Sequence, residues 1–102
     1  MANATEESVL VRAIERMQNE LNKLKTRKSD FKQNIESLKK SIARLEAKGS
    51  RVIALLEYRK LRMEAVRCYK DLAQCELEIR NMTVELRKLT RDLRIMRTPK
   101  PA

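Results

Sequence analysis

Few side chains in this sequence could do chemistry, and their spacing narrows what that chemistry would be. Cys68 and Cys75 are the only thiols, and they stand seven residues apart. On a helix that spacing separates them by about 10.5 Å along the axis, beyond the reach of a disulfide within the chain. There is no histidine and no pair of cysteines separated by two residues, so the usual zinc-ligand spacing is missing. General base catalysis loses its commonest residue for the same reason. A single glycine leaves no phosphate-cradling loop, and neither a nucleophile elbow nor paired carboxylates in an apolar setting can be found. These absences point away from catalysis: no catalytic residues, no metal, no cofactor and no small-molecule substrate are expected.

What remains is charge. The net charge is +10, and Arg87, Lys88, Arg91, Arg94, Arg97 and Lys100 cluster near the end with only Asp92 among them to offset it. Such a stripe attracts an acidic surface, whether an anionic membrane or a protein such as tubulin. Basic residues there also complement the negative end of a helix dipole. Nucleic acid is a poor match. A basic leucine zipper needs a strongly basic helix just before its heptads, where this chain has Thr5, Glu6 and Glu7. Single-strand binders need stacking aromatics, and Phe31, Tyr58 and Tyr69 are the only three.

The elements that must position these groups are legible as two apolar seams. Leu10, Ile14, Met17, Leu21, Leu24, Lys28, Phe31, Ile35, Leu38, Ile42 and Leu45 step by alternating fours and threes, and Ala54, Tyr58, Leu61, Ala65, Cys68, Leu72, Cys75, Ile79, Met82, Leu86, Leu89, Leu93 and Met96 do the same. A 3.5-residue period keeps one stripe facing a partner along a long helix, which is the pattern of a coiled coil. The two seams fall out of phase at Gly49-Ser50 by two residues, whereas a continuous coiled coil absorbs insertions of three or four. Glycine readily ends a helix in the left-handed conformation. The expected fold is therefore all-α: an antiparallel coiled-coil hairpin with helices over 5–48 and 51–97 and a turn at 49–50. A short tail over 1–4 precedes it, with Thr5, Glu6 and Glu7 starting the first helix, and a proline-containing tail over 98–102 follows. The rival reading is one continuous long helix, because Gly49, Val52 and Leu56 also extend the first seam numerically.

Lys28 is the one charge on the first seam. A lone polar seam residue fixes register by reaching an acid on the facing helix, and in the hairpin the facing segment lies near residues 70–76, with Asp71 and Glu76 available. The second helix carries a further stripe, Val52, Leu56, Met63, Val66, Ala73, Leu77 and Val84, interrupted by Arg59, Lys70 and Arg80 and lying opposite its seam. A helix apolar on two sides is usually the inner member of a larger bundle, so this stripe is expected to dock a protein partner in a homo- or hetero-oligomer. Two reduced thiols on a seam suit a cytosolic or nuclear compartment, and the expected setting is cytoplasmic, cytoskeletal or membrane-peripheral. No apolar run is long enough to cross a bilayer, no secretory signal is evident, and Ala2 in place of glycine excludes myristoylation.

A basic helix of about forty residues ending in Lys48-Gly49, a short turn, and Arg51, Ala54, Leu55, Leu56, Arg59, Lys60 and Arg62 opening a second helix together resemble the amino-terminal helical hairpin of ESCRT-III (CHMP) proteins. The resemblance implies a hairpin that polymerises into membrane-remodelling filaments, with basic residues of its first helix meeting acidic membrane. The amphipathic amino-terminal membrane segment, the later helices and the tail motif of that family have no counterpart in these residues. The function expected from the residues themselves is a non-catalytic scaffold subunit assembling through its helices, in a cytoskeletal, centrosomal, ciliary or trafficking complex.

Overall fold

A computed structural model describes the backbone of residues 2–48 and 52–98, with side chains over 5–48 and 55–98. It contains two helices, α1 (Ala2–Ala47) and α2 (Val52–Arg97), packed against each other as a helical hairpin. The continuous-helix alternative is thereby excluded. The chain leaves α1 at Lys48, whose amide donates to the Leu45 carbonyl at 3.2 Å. The turn expected at Gly49-Ser50 and the tail beyond Thr98 lie outside the described residues. At its other end α2 closes with the Thr98 amide donating to the Arg94 carbonyl at 3.0 Å, and Arg94 and Arg97 supply positive charge to that last turn.

One boundary differs from expectation. α1 starts at Ala2, not at Thr5, so Glu6 and Glu7 fall in the second turn and the first turn holds no acid. Ala2 and Ala4 are strong helix formers, and their propensity carries the helix past the polar residues that read as a cap.

Both seams are where the 3.5-residue count puts them. Every described seam position of α1, from Leu10 to Leu45, is buried or half-buried, and so is every described seam position of α2 from Tyr58 to Leu93. Met96 is exposed, which marks where the α2 seam runs out. Backbone contacts divide the chain into two units, Met1–Lys25 with Leu77–Ala102, and Thr26–Glu76. In the first unit Ile14, Leu21 and Leu24 are buried, and Arg97 Nε donates to Glu7 Oε1 at 2.8 Å, tying the end of α2 to the start of α1. In the second unit Ile35 and Cys75 are buried, and the Tyr58 hydroxyl donates to Glu46 Oε1 at 3.2 Å while accepting from Arg62 at 3.1 Å.

The core is thin because two helices can shield only one stripe of each other. Among the described residues no large side chain is completely enclosed. Exposed ion pairs add little, so the buried seam residues hold most of the fold. Leu21→Ala and Ile35→Ala should each cost about 2–4 kcal/mol, at the lower end where the helices can close over the gap. Leu56→Ala, on the outer side of α2, should change stability by less than about 0.5 kcal/mol. Thermal melts followed by circular dichroism check both expectations.

Candidate functional site

With each seam committed to the other helix, the regularly spaced apolar side chains left exposed are those on the outer side of α2. In the second unit, Leu56, Arg59, Met63, Val66, Lys70 and Ala73 follow one another by threes and fours, so they share a helix face. All six are exposed, with Met63 at 68%, Leu56 at 61% and Val66 at 54%. Met63 and Val66 line a shallow groove of about 360 Å³ with Arg62, Arg67 and Lys70. In the first unit the same count runs Leu77, Arg80, Val84, Arg87, Arg91 and Arg94, again with every member exposed. The structure thus places the described members of the expected apolar stripe in solvent. Val52 begins it in sequence, but its side chain is outside the described residues.

The basic cluster is less uniform than the sequence suggests. Arg97 is held by Glu7, and Lys88 Nζ lies 3.5 Å from Glu85 one turn back. Arg87, Arg91 and Arg94 make no ion pair among the described residues, and they occupy the outer face with Val84. Lys100 is outside the described residues. The part of the cluster without an ion pair among the described residues therefore shares the outer face with Val84.

Lys28 meets the acid anticipated for it. Its Nζ lies 3.9 Å from Glu76 Oε1, on the facing helix within the second unit. Both side chains are more than a third exposed, so water screens the pair. Lys39 is a second inter-helix contact, with its ammonium 6.0 Å from the Tyr69 ring centroid. Its pKa is raised, first by hydrogen bonding to Tyr69, then by charge interactions with Tyr69 and Glu36. Cys75 is buried and Cys68 half-buried on the seam, filling space as small apolar residues do. Among the described residues no group of three or more His, Cys, Asp or Glu side chains could hold a metal, and no helix is long and apolar enough to cross a membrane.

One feature of α2 escaped the sequence reading. Glu57, Glu64, Asp71, Glu78, Glu85 and Asp92 recur every seven residues without exception. Each follows one seam residue by three and precedes the next by one, so the row runs along the border of the seam, and all six are exposed. Counting acids by heptad, as was done for apolar residues, reveals it. Its consequence is segregation: Glu76 is the only other acid in α2, so the outer apolar stripe carries cations and no anion.

No family model, curated protein or solved structure matches this chain. The likeness to the ESCRT-III hairpin therefore rests on its sequence features alone.

Two measurements check the contacts described. Glu76→Ala should cost less than about 1 kcal/mol, whereas Lys28→Leu should raise the thermal midpoint by completing the apolar seam. For Lys39 the sign follows from its raised pKa: the stability it gains from Tyr69 is complete below the unfolded lysine value of about 10.4 and is lost as pH rises through the higher folded value. The melting difference between the parent chain and Tyr69→Phe should accordingly be small but present below the unfolded lysine value and shrink as pH rises through the folded one.

Proposed function

We propose that this chain is a non-catalytic coiled-coil scaffold subunit that joins a larger helical assembly through the outer face of α2. The single observation that carries the reading is the set of large apolar side chains, Leu56, Met63, Val66, Leu77 and Val84, standing in solvent at helical spacing on a helix whose other side already fills a seam. Scattered surface hydrophobics are ordinary, but a periodic row of them is the signature of a helix with a second neighbour. Arg87, Arg91 and Arg94 extend that row and would let the assembled subunit rest against an acidic surface, of the tubulin or anionic-membrane kind. The setting that goes with this reading is cytoplasmic, since two seam thiols are best kept reduced.

The test separates docking from folding. Met63→Glu combined with Val66→Glu should leave the helical circular dichroism and thermal midpoint unchanged, because neither side chain lies in the seam. In cell extracts the tagged parent chain should elute within a complex, and the double variant at the size of the chain alone. Unfolding of the variant would sink the docking reading by making the stripe part of the core. Polymer that sediments with acidic vesicles would replace it with the membrane-remodelling filament that the ESCRT-III likeness implies.

A further inference from the structure

The outer face of α2 in the second unit specifies its occupant more closely than "a helix". Around Met63 and Val66 stand Arg59, Lys60, Arg62, Arg67 and Lys70. Arg62 is drawn back toward the seam by Tyr58, with its guanidinium 5.6 Å from that ring centroid and 3.1 Å from its hydroxyl. Arg59, Lys60, Arg67 and Lys70 make no ion pair among the described residues. The acids of this stretch, Glu57, Glu64 and Asp71, belong to the heptad row beside the seam and do not enter the stripe. The result is an apolar face studded with cations that lack counter-charges.

We infer that this face binds an acidic amphipathic helix of another protein, one that presents apolar residues at three- and four-residue spacing flanked by Glu or Asp. The inference rests on reading the face as a docking surface and adds the sign of the partner. Charge complementarity decides against a second copy. In an antiparallel face-to-face pair centred between Met63 and Val66, Arg59 of each copy would oppose the Lys70 of the other. A parallel pair would set each cation beside its own equivalent. Both arrangements place like charges within a Debye length of about 10 Å, at a cost that opposite charges reverse. Nucleic acid would neutralise the cations but leave Leu56, Met63 and Val66 in water, gaining nothing from them. A bilayer surface would bury those three, yet Arg59 and Lys70 lie within the stripe and not along its rim, so insertion would carry them below the headgroups. Only a helix bearing acids meets both demands, with apolar anchors for the groove at Met63 and Val66 and carboxylates for Arg59 and Lys70.

The experiment uses the full chain and two fluorescent three-heptad amphipathic peptides with identical leucine spacing, one flanked by Glu and the other by Lys. Anisotropy titrations at moderate salt should show the acidic peptide binding about tenfold more tightly or better. Arg59→Glu with Lys70→Glu should reverse that order, and Met63→Glu with Val66→Glu should abolish binding of both. If the two peptides bind the parent chain equally and both are lost with Met63→Glu and Val66→Glu, the acidic partner is overturned while the docking face stands. If the acidic peptide binds the Met63→Glu, Val66→Glu variant as well as the parent, the docking face itself falls. Failure of the acidic peptide to bind at all also overturns the inference. A discrete dimer by light scattering that Met63→Glu with Val66→Glu dissociates would assign the face to a second copy. Tighter binding to phosphatidylcholine vesicles with about 30% phosphatidylserine than to the acidic peptide would assign it to lipid.

Discussion

Two helices can shield only one stripe each, and the rest of this molecule follows from that limit. The seam residues of α1 and α2 are claimed by one another, which leaves every remaining position to serve either water or a third element. On α1 the remaining positions are mostly polar, with Val9 the large exposed exception. On α2 they include a row of acids bordering the seam and an outer stripe of apolar residues and cations. The asymmetry between the helices is therefore chemical and not architectural: both are regular and of equal length, but only one carries a face that water serves badly.

The segregation of charge on α2 has a physical logic of its own. Acids placed every seven residues stay at one angular position around the helix, so their field is felt along the border of the seam and much less on the opposite side. Cations at Arg59 and Lys70 in one unit, and at Arg80, Arg87, Arg91 and Arg94 in the other, are left without acids in their own row. A helix with the same composition but scattered charges would pair most of them within itself, by the three- and four-residue contacts that already join Lys23 to Glu20, Lys39 to Glu36 and Lys88 to Glu85. Those local pairs are cheap to form and say little about partners. The unpaired outer cations are the informative ones.

How much of this was legible in the sequence depends on how local the controlling physics is. The seams were readable residue by residue, because a 3.5-residue period is a one-dimensional property that packing merely ratifies. The partner of Lys28 was readable for a related reason: a charge on a seam must find an acid within a short facing segment, and Glu76 was one of two candidates. The start of α1 was misread because Thr5 with Glu6 and Glu7 resembles a cap, while the alanines ahead of it quietly extend the helix. The acid row shows only when acids are counted by heptad, because exposed charges otherwise look interchangeable as solvated positions. Its regularity was present in the letters all along. Which of the basic residues near the end stay open to a partner was not legible, since that turned on Glu7 and Arg97 meeting across ninety residues of chain.

The thin seam also bears on how long a copy of this chain survives. Side chains buried as lightly as these protect the backbone only while the helices stay closed, and a protease that cleaves the open form removes molecules in proportion to how often the pair opens. A ligand that binds only the closed form, at about a hundred times its dissociation constant, deepens that well by about 2.7 kcal/mol and slows loss about a hundredfold. Turnover then tracks occupancy. For a subunit held in an assembly of the proposed kind, copies in excess of their binding sites would be cleared first.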